Sequence, residues 1–364
     1  MSSITASAPG KILLLGGYAV LERPNVAYVL AVDKHVKATL QPLNEQEIIV
    51  DLPDFGFSIH GDAHQFSGST EEREKAKFVI HAIRATIKYL EYKKIPWKGF
   101  KLVTHSDEAF QLKQGKSGLG SSAAVTVAAI AAMLHYHGIK DLEIVHKLAQ
   151  FSHAYSQGKV GSGFDIAAAC YGSIEYVRYS ATNISFDLAQ DSNKFGKVIE
   201  SKWDYTIQKT QMPSSLHLAI ANIIGTSAST SAMVKKLHAW KEKNVNRYRE
   251  LLNSINEVDR LALIALRQNN IDAFAKHFNT ARTQTKKLGE EAGIETESDG
   301  HTKLINSSLQ NGALVCRLPG AGGGDSIVAL CKSEGDKEKL EGFWKKRGLQ
   351  VLRVQPIPDG LRVK

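Results

Sequence analysis

Cysteine is scarce in this chain. Only Cys170, Cys316 and Cys331 occur, and their spacing fits no metal-ligand pattern. An odd count in a chain of this length points to a reducing compartment and buried free thiols rather than a disulfide framework. Long apolar runs are lacking too. The longest follows Ser122 and falls short of the roughly 20 apolar residues that span a bilayer. The N-terminus has no charged start, apolar middle and cleavage site of a secretory signal. A cytoplasmic protein with no membrane partner is therefore expected. Blocks made only of Lys and Arg are missing, as are basic runs interleaved with aromatics, so no nucleic-acid partner is expected. Internal repeats and low-complexity linkers are absent as well.

What is present is an ordinary globular composition. The 364 residues are 43% hydrophobic and 23% charged, enough for two domains with cores of their own. The net charge of +9 favours anionic partners, small phosphorylated metabolites among them. Strand patterns cover Ile12 to Leu21, Val26 to Leu43, Gly172 to Tyr179 and Leu216 to Ile223, and Phe100 to Phe110 reads as a strand leading into a polar loop. Helical spacing covers Glu71 to Leu90, the stretch after Ser122, and Leu142 to Gln157. A helical block follows, with Ser231 to Lys243, Tyr248 to Gln268 and Ile271 to Gly289. Gly312 to Cys331 reads as strand, glycine loop, strand, and then come a helix over Glu338 to Gly348 and a strand over Leu349 to Ile357. This mixture predicts an α+β protein of two domains, residues 1–205 and 206–364.

Three glycine loops stand out. In "KSGLGSSAAVTVAAIAAML" (Lys116 to Leu134) flexible backbone runs straight into a small-residue helix. A helix start leaves N–H groups unpaired and carries partial positive charge, and glycine lets backbone approach an anion closely. The stretch is therefore either a phosphate cradle or a tight turn before a packed helix. It is not a P-loop, because Ser121 stands where that motif needs lysine. It also lacks the buried strand that must directly precede a dinucleotide fingerprint. "ASAPGKILLLGG" presents Lys11 just after Pro9 and Gly10. "LPGAGGGDSIVAL" sets Gly320, Gly322, Gly323 and Gly324 between apolar runs. One such loop alone is an ordinary hairpin or turn; three in one chain favour a polyphosphate ligand.

Together, "APGKILLLGGYAVL", "GLGSSAA" and "PGAGGGDSIVAL" resemble, in order, the three motifs of the small-molecule kinases named after galactokinase, homoserine kinase, mevalonate kinase and phosphomevalonate kinase. Gly17 and Tyr18, where the mevalonate kinases typically carry Glu-His, and "QGKVGSGFDIAAACYGS" (Gln157 to Ser173) are similar to the family's eukaryotic-type branch that acts on mevalonate 5-phosphate. The resemblance implies a first domain like ribosomal protein S5 domain 2 and a ferredoxin-like second domain. It implies transfer of the ATP γ-phosphoryl group to mevalonate 5-phosphate, with Mg2+, by a monomer or homodimer. Lys116, Gly118, Leu119, Gly120, Ser121, Ser122 and Ala123 would hold the nucleotide, with Ser122 a ligand of Mg2+. Lys11 and Asp165 would be catalytic. Tyr18, Ser162, Ser227, Ser229, Thr230, Gly322 and Gly323, with Lys11 and Asp165, would meet the acceptor. The glutamate that helps hold metal in mevalonate kinases falls near His153, and an imidazole suits Mg2+ poorly, so His153 reads as structural. Asp165 could instead cap the helix that follows it, and Thr230 could be a plain helix start before the solvated Lys235 and Lys236. Two other readings stay open: another kinase of the family, or a ligand sensor on the same fold without catalysis.

Overall fold

The structure, a computed structural model, describes residues 3–111, 117–158, 161–223, 230–324 and 326–364. It opens with β1 (Ile4–Leu15), paired antiparallel to β2 (Ala27–Pro42). Pro9 has no amide donor, and the ladder breaks there: Pro9 faces His35, but Gly10 faces Val32. Such a bulge re-aims the next side chain, which is Lys11. The strand pattern extended to Leu21, but β1 stops at Leu15 and a single 3-10 turn covers Ala19–Leu21. The reason lies elsewhere in the chain, since the Gly16 N–H leaves the ladder to donate to Asp259 Oδ2 at 3.1 Å.

The hairpin of β3 (Ile48–Leu52) and β4 (Phe57–Gly61) comes next, followed by α1 (Thr70–Tyr92) and β5 (Phe100–Ser106). Helix α1 starts in a capping box, with the Ser69 side chain on the Glu72 N–H and the Glu72 side chain on the Ser69 N–H. Three helices follow: α2 (Ser121–Tyr136), α3 (Leu142–Ser156) and α4 (Phe164–Tyr171). Then come β6 (Ile174–Val177), α5 (Ser192–Glu200) and β7 (Thr206–Lys209). A helix apolar all round must be central, and α2 is: it touches β1, β2, α1, α3 and α4. Its alanines allow that crowding.

The second half begins with β8 (His217–Asn222) and a run of helices, α6 (Thr230–Lys243), α7 (Val245–Arg267), α8 (Ile271–Ala292) and α9 (Asp299–Gln310). It ends with β9 (Val315–Arg317), β10 (Ser326–Cys331), α10 (Glu334–Lys346), β11 (Gln350–Leu352), β12 (Pro356–Ile357) and β13 (Arg362–Val363). The single strand expected over Leu349 to Ile357 is thus two, each in a different sheet. Among the described residues, nine strands form one sheet, with the path β13-β1-β2-β5-β3-β4, β12 and β6 on β2, and β7 on β6. Four form a second, ordered β11-β8-β10-β9. α9 and α10 cover one face of the second sheet through Ile305, Leu340 and Trp344. On its other face Phe274, Phe278 and Leu263 join Ile12, Leu14 and Leu30 in one shared core. This shared core holds the end of β1 against the second sheet. The architecture is α+β, as the sequence predicted, with two sheets, and the three cysteines are buried free thiols. No helix among the described residues is long and apolar enough to cross a membrane.

Candidate active site

The glycine loops meet. Lys11 donates its backbone N–H to Leu119 O at 2.8 Å, and its Nζ donates to Gly118 O at 2.9 Å. Gly118, Leu119 and Gly120 thus wrap the lysine on the way into α2. Gly120 is the N-cap of α2 at φ +78°, a conformation that favours glycine, and a Cβ there would sit 2.7 Å from Lys11 Cε. A Cβ on Gly118 would come 2.8 Å from Ser326 Oγ, on the strand leaving the third loop. Tyr18 Oη donates to Ala321 O at 2.9 Å and ties the first loop to the third. Tyr18 itself is buried, and burial pushes its phenol well above the ordinary range. In the third loop the Gly323 N–H donates to Thr296 O at 3.0 Å, while the Gly322 N–H donates to Pro319 O at 3.3 Å.

Among the described residues no side chain caps α2, so the amides of Ser121, Ser122 and Ala123 remain for an anion. Ser122 Oγ lies 3.1 Å from His153 Nε2. His153 is buried and stacks on Phe78, ring centres 5.2 Å apart. Burial and stacking are what a structural His153 requires, and the ring also supports the Ser122 hydroxyl directly.

Asp165 enters from α4. It is not the helix cap: Gly163 is, and among the described residues Asp165 Oδ1 accepts only from the adjacent Ile166 N–H at 3.0 Å. The loop before it is pinned at three successive carbonyls. Gly161 O accepts from Arg178 at 3.0 Å, Ser162 O from Tyr176 Oη at 3.1 Å, and Gly163 O from Gln150 Nε2 at 2.8 Å. Dense packing around the Lys11 ammonium lowers its pKa, and the Asp165 charge opposes that shift, though no ion pair closes between them. Phe164 adds a ring face 5.4 Å from Nζ. Thr230 is the exposed first residue of α6. Lys116, Ser227, Ser229 and Asp325 lie outside the described residues.

Sequence reasoning missed Asp259, Arg317 and Arg178. Asp259 on α7 is fully buried, with one oxygen on the Gly16 N–H. Burial pushes its carboxyl up to about 7, while Arg317 and the Gly16 bond pull it down. Arg317 donates to Leu14 O at 3.2 Å. Residues from the second half therefore hold the end of β1 from both sides. A charge buried by a distant partner leaves no local pattern to read.

A resident metal cage is not evident: among the described residues no three or more His, Cys, Asp or Glu side chains gather. A magnesium ion arriving with a triphosphate asks little of the protein, since phosphates and waters fill most of its six positions. One hydroxyl, Ser122 Oγ at an anion-binding helix start, fits that demand.

The GHMP kinases N terminal domain model matches residues 77–173, and the GHMP kinases C terminal model matches residues 262–349. The chain is also 31% identical to a phosphomevalonate kinase of Saccharolobus solfataricus, over 99% of both chains. It belongs to the GHMP kinase family. Among solved structures, the Lin0012 protein of Listeria innocua covers all of this chain, and this chain covers 99% of that one, at 26% identity and a TM-score of 0.87. The Streptococcus pneumoniae phosphomevalonate kinase, solved in complex with phosphomevalonate and AMPPNP, has a TM-score of 0.79 at 20% identity. That alignment covers 98% of this GHMP kinase and all of the pneumococcal chain, and it speaks for the shared fold.

Proposed function

We propose that this GHMP kinase transfers the γ-phosphoryl group of ATP to mevalonate 5-phosphate, giving mevalonate 5-diphosphate and ADP. The observation that carries the reaction class is the placement of the Lys11 ammonium, held by Gly118 O at the open start of α2 and facing Asp165. The acceptor is supported by the end-to-end likeness to the Saccharolobus enzyme. Phosphoryl transfer needs alignment and charge neutralisation more than covalent help. The amides of Gly118 to Ala123 and the charge of Lys116 would bind the phosphate tail. Ser122 Oγ would ligate Mg2+, which when bound offsets phosphate charge. Lys11 sits where donor and acceptor meet and offsets the repulsion between two anions.

The acceptor phosphate has a second pKa near 6 and is mostly ionised at neutral pH, so no strong base is needed. Asp165 instead keeps Lys11 charged against burial and orients the acceptor. Tyr18, Ser162, Gly322, Gly323, Ser227, Ser229 and Thr230 would contact the acceptor. Residues 1–205 carry the nucleotide and 206–364 the rest, with β7, β12 and β13 from the second part completing the first sheet. The protein works in the cytoplasm as a monomer or homodimer.

The test is a coupled ADP-release assay with mevalonate and mevalonate 5-phosphate side by side. Sustained turnover is expected only with the phosphorylated acceptor, and Lys11→Ala should lose roughly a hundredfold or more in kcat. Comparable turnover on both acceptors overturns the substrate assignment while leaving the kinase chemistry.

A further inference from the structure

Helix α1 puts His81, Arg84, Ala85 and Lys88 on one stripe at three- and four-residue spacing. Helix α3 turns Ser152 and Tyr155 toward the same space, and Ala63, His64 and Ala189 close it. The result is a cavity of about 360 Å³, within the size range of small-molecule sites.

Its walls are of two kinds. One is aromatic. Tyr155, 40% exposed, meets the His81 ring edge-on at 5.0 Å and the Phe186 ring edge-on at 5.5 Å, and it stacks on Phe151 at 6.1 Å. A large ring left that open, with its neighbours braced behind it, is a platform for another flat or apolar group. The second wall is cationic. Arg84 is held in place by donating to His64 O at 2.7 Å and by lying 6.0 Å from the Phe66 ring. Neither Arg84 nor Lys88 closes an ion pair among the described residues; their charges are felt by Asp62 and Asp191 respectively, without a direct bridge. The one acid on the wall, Glu91, accepts from Ser192 Oγ at 2.8 Å. Burial, then the charges of Arg84 and Lys77, pull the His81 imidazole down to about 4, so His81 stays neutral and the cations on the wall are Arg84 and Lys88. At the base, Ser152 is 1% exposed and its Oγ has no hydrogen-bond partner among the described residues, a polar atom that buried sites normally satisfy.

The cavity is separate from the phosphate cradle. On α3, His153 faces Ser122 while Ser152 and Tyr155 face the cavity. Beyond Phe78, the α1 stripe continues away from Ser122 toward Glu91.

We propose that this cavity is a second small-molecule site, taking an amphipathic acid whose ring or short apolar body lies on Tyr155 and whose acid group meets Arg84 and Lys88. The site is independent of the nucleotide: a ligand there and ATP bind together.

The probe is 8-anilinonaphthalene-1-sulfonate, titrated by fluorescence into the full chain with and without a saturating non-hydrolysable ATP analogue. Saturable binding of one equivalent is expected, unchanged by the analogue. Ala189→Trp, which fills the cavity, should abolish it, and the pair Arg84→Ala with Lys88→Ala should weaken it about tenfold, a loss of ~1.4 kcal/mol. The neutral parent 1-anilinonaphthalene should bind more weakly than the sulfonate. Retained kinase turnover identifies variants that are folded. If a variant loses turnover, an anomalous-scattering soak of the unaltered protein with 4-iodobenzoate decides, with iodine expected against Tyr155. Displacement by the analogue, binding indifferent to Ala189→Trp, equal binding of the neutral parent, no saturable binding, or iodine located elsewhere would each overturn the proposal.

Discussion

Asp165 and Lys11 sit on different elements, and each changes what the other can do. Burial lowers the lysine's pKa and the aspartate raises it. Removing the aspartate's charge leaves only the lowering influence, so Lys11 loses its proton at lower pH. In Asp165→Asn the alkaline limb of the kcat/KM profile should therefore move to lower pH, while the acidic limb, set by ionisation of the acceptor phosphate near pH 6, stays in place. Turnover at neutral pH should fall without vanishing. An alkaline limb that does not move would mean that Asp165 serves some other purpose. Lys11, Ser122 and Asp165 could be singled out in the sequence because each stands in a local motif whose neighbours carry the signal. Asp259 and Arg178 were not, because their partners lie at Gly16, Leu21 and Gly161, hundreds of residues away in the first case.

Among the elements, the junction into α2 bears most of the account. The two sequence readings of that stretch, cradle and packed helix, turn out to be compatible: the helix body is core and its first turn is open. Gly120 joins them. Gly120→Ala imposes left-handed strain of about 1–2 kcal/mol and drives a methyl against Lys11 Cε. Gly138→Ala, at φ +82° with nothing within 4 Å of its Cβ position, imposes the same backbone strain without that contact. The two variants should lose similar thermal stability, yet only Gly120→Ala should lose most of its kcat. Equal activities would show that the contact with Lys11 is idle. Long periodic helices such as α1 and α7 were readable, whereas α5 and α9 were not. The first is short and holds a glycine, Gly196. The second is written in Gly, Ser and Asn, and it is stabilised by its cap, where the Ser298 side chain accepts from the His301 N–H, rather than by propensity.

At the scale of the whole molecule, Asp259 and Arg317 fasten the second half to the end of β1. Asp259 carries a pH signature. Its carboxyl has a folded pKa of about 7 against roughly 3.9 for a free aspartate. Below pH ~4 the group is neutral in both states and its contribution to stability is intact; as pH rises toward 7 the unfolded chain ionises first and that contribution is lost. Asp259→Asn keeps an acceptor for the Gly16 N–H but cannot ionise. In urea denaturation its stability should gain on the parent by up to roughly 1.4 kcal/mol per pH unit across that window and level off above it. A difference independent of pH would contradict a raised carboxyl. The mixed α+β character followed from the order of strands and helices. The return of β12 and β13 to the first sheet did not, since pairing such as Ala6 with Val363 is set by tertiary contacts and leaves no mark in either segment. What ties residue, element and molecule together is the phosphate cradle at the start of α2. A crystal structure with AMPPNP and magnesium tests it most directly. The triphosphate tail should lie within hydrogen-bonding distance of the Gly118 to Ala123 amides and of Lys11 Nζ; a tail bound elsewhere, with that helix start empty, would contradict the account.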